Sequence, residues 1–421
     1  MNNRKQRKSV WLISKYATSS LFGPPNRQFF IAKFLNFNYP ETRLISSRSC
    51  AYGEVDSFSG LYKTFYHEGF RNDVLNGSTI GLGLSFKRLL SWITFEVFLF
   101  IYSIIHFKNR PAFLYVSSLS ILTFATCSVL KKIFKCKLIV EVRDIWPETL
   151  TEFSSYGRKS IPFKILSQFE KIGYKNADLI IGTMPRLDLH VSTIIAKKFN
   201  YINIPMGYDD SFYNLDPTQS IKKVDQPILE RVKHKIGQYK FTVAYAGTIG
   251  KANRVEDLLL AVQYLPPDTG IFIIGKGPLK DELVESYAEN VNIHFFEPVS
   301  KESLPRVLSN FDILVNMWDD KNIYRFGVSP NKWIDYMLSS RPILVSFNGY
   351  QSIINDSGCG WFIKAKDPKL LASKIEEIRL EYTPEELSDI GKLGFDYVIK
   401  ELNYKSLTKK ISENLDSLQK R

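Results

Sequence analysis

Cysteine is scarce in this sequence of 421 residues: there are four, Cys50, Cys127, Cys136 and Cys359, and no C-x-x-C pair among them. The five histidines stand at no ligand spacing from a cysteine or an acid. A disulfide framework and a zinc site are thereby excluded as organising features, and a reducing compartment fits. No Gly/Ser-, Pro- or Gln-rich tract and no fixed-period repeat is present, which argues against linker-like, solenoid and propeller architectures. Zinc fingers, RNP-like aromatic strands and basic zipper helices are also missing, so nothing marks a nucleic-acid module. The basic start (Arg4, Lys5, Arg7, Lys8) leads into an apolar run, Val10–Ile13, too short for the core of a secretion signal.

What is present suits a globular chain, with 44% hydrophobic and 24% charged residues. The length predicts two domains of about 200 residues each. Charge divides them. Residues 1–205 hold 28 Lys and Arg against 13 Asp and Glu, whereas residues 206–421 hold 28 against 30. A basic first half suits an anionic membrane surface or a phosphate-bearing substrate.

Strand-like runs alternate with helical ones throughout. In the first half the strands are Val10 to Ser14, Ala112 to Ser117, Lys137 to Val142, Ala177 to Gly182 and Tyr201 to Pro205, with helices at 28–37 and 120–134. Residues 46–85 read as a long polar loop. In the second half, Phe241 to Ala246, Gly270 to Ile274, Val291 to Phe296, Asp312 to Met317 and Pro342 to Ser346 are strands, with helices at 255–264, 278–288 and 330–339. Uninterrupted apolar strands separated by helices predict α/β architecture with doubly wound parallel sheets. The expected divisions are 1–205, 206–395 and a C-terminal helix, 396–421, returning to the first domain; residues 387–419 read as helical.

Leu89 to Phe107 is almost purely apolar, with Glu96 its one formal charge. Three readings remain open: a helix packed in the first domain, a membrane-surface contact, and a span. Glu96 at mid-length opposes the span, since an acid at the bilayer centre costs ~2.5 kcal/mol or more.

Several turns have the composition of anion sites. Gly247-Thr248-Ile249-Gly250 follows a strand, as does Gly275-Lys276-Gly277, and both lie on the carboxyl edge where open sheets bind ligands. Each is also an ordinary tight turn. Arg254 adds a charge there or is a solvated helix residue. Ser329-Pro330-Asn331-Lys332 opens a helix, Ser329 as N-cap and Pro330 in the first turn. Lys332 is out of place by dipole logic unless an anion sits beside it. Asp335, one turn on, suits sugar hydroxyls or is a plain helix carboxylate. In the first half, Arg143 and Asp144 close a strand; they could hold a phosphate and orient an acceptor hydroxyl, or form a structural pair. Gly23 and Asn26 occupy the first loop on that edge.

The ordered set EVRDIWPE (141–148), IPMGYDDSFY (204–213), YAGTIG (245–250), IIGKGPLKDEL (273–283) and FGVSPNKWIDYM (326–337) resembles the retaining GT-B glycosyltransferases of the "glycosyl transferases group 1" family, from about residue 10 to 375. It is most similar to the branch serving bacterial surface-polysaccharide (O-antigen or capsule) assembly. The resemblance implies two Rossmann-like domains facing across a cleft, the acceptor held in the first and the nucleotide sugar in the second. Gly23, Asn26, Gly247, Thr248, Gly250, Arg254, Gly275, Gly277, Ser329, Asn331, Lys332 and Asp335 would bind the donor, and Arg143, Asp144 and Lys332 would serve catalysis. It implies no metal and no cofactor, only a nucleotide sugar (uridine by family habit) as substrate; the absence of Asp-x-Asp agrees. The acceptor would be a saccharide or a polyprenyl-diphosphate-linked sugar at the cytoplasmic face of the inner membrane. Several positions depart from the pattern. Gly327 stands where the first of two paired glutamates is usual, Thr248 where an arginine is, Asn253 or Arg254 where a later lysine is, and Arg143-Asp144 where a first-domain histidine is often seen. A GT-B nucleotide-sugar epimerase and an inactive nucleotide-sugar-binding scaffold are the alternatives.

Overall fold

A computed structural model describes residues 8–50, 53–77, 86–118, 120–153, 157–213 and 221–420. Two compact units divide the chain: residues 1–205 with 404–421, and residues 206–403. Each has a parallel sheet covered by helices.

The first unit's strands are β1 (Val10–Ile13), β2 (Arg43–Ser47), the short antiparallel pair β3 (Ser49–Cys50) and β4 (Gly53–Glu54), then β5 (Tyr62–His67), β6 (Phe70–Leu75), β7 (Phe113–Ser117), β8 (Lys137–Val142), β9 (Leu179–Gly182) and β10 (Tyr201–Asn203). The main sheet runs β10-β9-β8-β7-β1-β2-β6-β5, parallel except for β5, which pairs antiparallel with β6. Every residue of β1, β7 and β9 is buried, as strands covered on both faces require. The expected loop at 46–85 is corrected here, for it holds the β5–β6 hairpin. β5 is an edge strand with no buried residue, so its sequence stays polar. Residues 78–85 lie outside the described residues.

The second unit has β11 (Phe241–Ala246), β12 (Thr269–Ile274), β13 (Ile293–Phe296), β14 (Ile313–Met317), β15 (Ile343–Ser346) and β16 (Gly360–Ile363) in the all-parallel order β13-β12-β11-β14-β15-β16. Strand order reverses between β11 and β14, and the crevice beyond their carboxyl ends is where such sheets take ligands.

The C-terminal region is two helices, Pro384–Glu401 and Tyr404–Lys420, rather than one. At the break, the Tyr208 amide donates to the Leu402 carbonyl, and Tyr208 bridges to Asn403. Helix Tyr404–Lys420 belongs to the first unit, so the division falls between 403 and 404, later than 395/396. There Tyr404 stacks on Phe30 at 5.1 Å, and Tyr39 donates to Asp416 at 2.6 Å.

The apolar segment forms helix Phe86–Ile105, which is long and apolar enough to cross a membrane by composition. One face is packed into the first unit. Trp92, Phe95, Leu99 and Tyr102 are at most 6% exposed, Trp92 donates to Tyr16, and Lys15 donates to Ser91. Glu96 accepts hydrogen bonds from Thr123, Thr126 and Ser120 on and before the neighbouring helix Leu122–Phe134. Burial raises its carboxyl to about 7, against those bonds and the nearby Lys15.

Candidate functional site

The loop leaving β11 sits at the strand-order reversal. Gly247 has φ of 150°, and a Cβ there would lie 2.3 Å from Cε of Lys332. The missing side chain is therefore what lets Lys332, from helix Asn331–Met337, lie across the loop. Its ammonium donates to the Tyr245 hydroxyl and to Asn253 Oδ1, both at 2.6 Å, and stands 4.5 Å from the Tyr245 ring centre. Tyr245 in turn donates to the Thr248 carbonyl at 2.7 Å. Burial without an acidic partner lowers Lys332 to about 7. The result is a cation over a glycine turn, held by two neutral oxygens. An anion placed there would restore its full charge.

The two glycine turns are built on each other. A Cβ on Gly275 (φ 154°) would fall 1.9 Å from the Gly247 carbonyl oxygen, and one on Gly277 would fall 2.1 Å from that of Ile249. Packing of the two loops thus accounts for Gly275 and Gly277. Gly250 differs, with no atom closer than 3.8 Å to a Cβ built on it. Thr248 is exposed.

Between the β11 loop and helix Val255–Ala261 stand a 3-10 turn, Lys251–Asn253, and Arg254 at φ 46°. Arg254 pairs with Asp257 three residues on and makes two hydrogen bonds to it. Ser329 is not the N-cap; Pro330 holds that position, and Ser329 Oγ accepts from the Met206 amide at 2.7 Å. Asn331, the first helical residue, is exposed. Asp335 is buried, accepts from Tyr213 at 2.6 Å and lies 3.7 Å from Lys301. Burial raises its carboxyl above the usual range, with Lys301 and Tyr213 opposing. Gly327 has φ of 82° as it closes the 3-10 turn Asn322–Phe326, a conformation in which a glutamate would be strained.

Arg143, Asp144, Gly23 and Asn26 belong to the first unit. Behind Arg143, at the end of β8, lies a buried network. Glu141 accepts from Arg27 (2.9 Å), Tyr115 (2.8 Å) and Gln28 (3.2 Å). Burial alone would raise the Glu141 carboxyl; the cations Arg27 and Arg143 outweigh it and hold the group below its ordinary value. Arg27 also donates to the carbonyls of Ile204 and Pro205, where the chain leaves this unit. Arg143 donates from Nη1 to Gln28 Oε1 at 3.3 Å, while its Nε is buried without a partner. The Asp144 side chain reaches solvent, yet burial of its carboxyl raises it above its ordinary value, with the charge of neighbouring Arg143 opposing. Asn26 precedes helix Arg27–Asn38 without capping it, donating instead to the Tyr16 carbonyl. Gly23 has φ of 149°. Among the described residues, no three His, Cys, Asp or Glu gather as a metal site.

Sequence reasoning gave Tyr245 and Asn253 no role, although they hold Lys332. Their signal was available only after β11 and the 331–337 helix are known to be neighbours.

Residues 240–379, which carry the Lys332 site, match the family described as Glycosyl transferases group 1. "Probable glycosyltransferase WbjE" of Pseudomonas aeruginosa is 24% identical over 298 residues, 68% of this chain and 70% of that protein. Among solved structures, sucrose-phosphate synthase of Thermosynechococcus elongatus superposes with a TM-score of 0.71 at 15% identity, covering 98% of this chain and 99% of that one. HepE of Anabaena, solved with UDP-glucose, gives 0.62 at 11% identity, covering 97% and 99%. With two parallel-sheet α/β units of the GT-B fold and these relatives, the chain is a glycosyltransferase.

Proposed function

We propose that this chain transfers a sugar from a nucleoside-diphosphate donor to a saccharide or polyprenyl-diphosphate-linked acceptor, with retention at the anomeric carbon and without a metal, in the assembly of a cell-surface polysaccharide. The observation that carries the donor half is the Lys332 ammonium, laid over Gly247 at the strand-order reversal of the second unit. A diphosphate there would gain a cation in a partly dehydrated setting. As the glycosidic bond breaks, the same charge stabilises the departing phosphate, the kind of interaction that dominates most such rate enhancements. In this reading the leaving phosphate accepts the acceptor's proton, while Arg143 holds an acceptor phosphate and Asp144 orients the hydroxyl. Gly247, Thr248 and Gly250 offer backbone to the diphosphate, and Asn331 adds a donor. The UDP-glucose seen in the Anabaena protein makes uridine diphosphate the first probe. The acceptor class rests on likeness to the surface-polysaccharide branch, and so does the proposed site of work, the cytoplasmic face of the inner membrane.

The test is a thermal-shift panel of nucleoside diphosphates and their sugars on wild type and Lys332→Ala. A ligand at a hundred times its Kd adds about 2.7 kcal/mol of stability, a shift of several degrees. Wild type should rise with one nucleotide series and the variant should not. No shift with any nucleotide would remove the donor site, and an equal shift in the variant would remove Lys332 from it.

A further inference from the structure

Helix Phe86–Ile105 leaves one face bare. Leu89, Ile93, Val97, Phe100, Ile101 and Ile104 are 38–50% exposed and recur at helical spacing, opposite the packed Trp92, Phe95, Leu99 and Tyr102. The face does not end with that helix. Helices Leu122–Phe134 and Ile161–Asn176 lie beside it in one layer, the first touching both others. That layer covers one side of the sheet, as Trp11 of β1 meets Tyr102 and Phe134. These neighbours expose further apolar residues: Val129 and Ile133 on one, Ile161 and Ile165 on the other.

The charges around this face have one sign. Lys87, Lys132, Lys164, Lys171 and Lys175 are all exposed on the three helices. The acids on them are two, and neither is free: Glu96 is bonded to the three hydroxyls, and Glu170 is buried against His190 at 2.6 Å. Helix Pro384–Glu401 of the second unit, by contrast, mixes three glutamates and two aspartates with two lysines. The first unit carries 33 Lys and Arg against 15 Asp and Glu; the second carries 23 against 28.

We propose that the outward face of these three helices docks the chain on the surface of an anionic phospholipid bilayer, its apolar residues entering the headgroup–acyl boundary and its lysines meeting lipid phosphates. Charge complementarity selects this occupant. A bare apolar face ringed by lysines and lacking exposed acid repels a second copy of itself, whereas each lysine near an anionic membrane raises binding roughly fivefold. The helix lies on the membrane instead of crossing it, because a span would tear away Glu96, Trp92 and Lys15 from their partners. The docking deepens the proposed reading, for it would bring the enzyme to a lipid-linked acceptor, but it does not depend on the donor site.

The test floats the full chain with vesicles of phosphatidylcholine alone or mixed with phosphatidylglycerol. Two variants are compared: Ile93→Glu with Ile101→Glu, and Lys164→Glu with Lys171→Glu. Wild type should float with the anionic vesicles and weakly with the neutral ones. Each double variant should lower the bound fraction roughly tenfold or more, while keeping wild-type circular dichroism and any thermal shift by nucleotide. The lysine pair, being fully at the surface, keeps the test open should the isoleucine pair misfold. Failure of wild type to float, undiminished floating of both folded variants, or a solution dimer that the isoleucine variant converts to monomer would each overturn the docking. Floating without any nucleotide shift would sink the donor reading alone.

Discussion

Lys332 shows how much of a site one residue can reveal. Its identity was legible in the sequence because a lysine in the first turn of a helix contradicts the helix dipole and asks for a compensating anion. Its setting was not legible, because Tyr245 and Asn253 come from 87 and 79 residues away. The same nonlocality moved Ser329 from capping its own helix to the Met206 amide. The setting has a pH consequence. With its pKa near 7 in the free chain, Lys332 is about half charged at neutral pH. A bound diphosphate restores the pKa toward the ordinary lysine range, so binding takes up a proton above pH 7. Affinity for UDP should therefore fall as pH rises from about 7 to about 9, approaching tenfold per unit at the steepest. Calorimetric titration in buffers of different ionisation enthalpy reads that proton directly. Lys332→Arg, charged throughout, should bind without proton uptake and without the slope. A wild type with flat affinity over this range would show that the ammonium is not the anion's partner.

At the scale of elements, apolar periodicity located the buried strands to within a residue or two. β8 and β11 have the expected bounds, because strands buried on both faces are written as unbroken apolar runs. Strands without an apolar run were lost: β5 mixes polar and aromatic residues at an edge, and β6, though largely buried, carries Arg71, Asn72 and Asp73, so both read as loop. The helix break at 402–403 contains no glycine or proline, being set by Tyr208 from far along the chain. The glycine turns after β11 and β12 looked alike in sequence, yet only the structure separates their purposes. Gly275→Ala would drive a Cβ into the Gly247 carbonyl at 1.9 Å in a backbone conformation alanine avoids. It should destabilise the chain by about 3 kcal/mol or more. Gly250→Ala meets nothing within 3.4 Å and has extended backbone at φ −157°, so it should stay within about 1 kcal/mol of wild type. Urea unfolding compares the two. Equal destabilisation would mean the loops do not pack as described. If folded Gly250→Ala still loses nucleotide stabilisation, that position is where the diphosphate approaches the backbone.

For the whole molecule, two domains were legible from length, their α/β class from apolar strands alternating with helices and the charge asymmetry from composition, while the point at which the chain returns to its first unit rests on contacts between its two ends. Helix Tyr404–Lys420 buries Tyr404, Leu407, Ile411, Leu415 and Leu418, largely against helix Arg27–Asn38. At about 1.5–3 kcal/mol per large apolar side chain, these five supply on the order of 10 kcal/mol of gross burial, comparable to the net stability of an entire domain. The second unit closes its own core before residue 404. A chain ending at Asn403 should consequently lose the first unit's cooperative transition while keeping the second's. Scanning calorimetry with and without UDP distinguishes them, since the surviving transition should be the one that nucleotide raises. If the truncated chain kept two transitions, the terminal helix would be dispensable to the first unit. If instead the nucleotide-sensitive transition vanished, the donor would depend on the first unit and its terminal helix, and not on residues 206–403 alone.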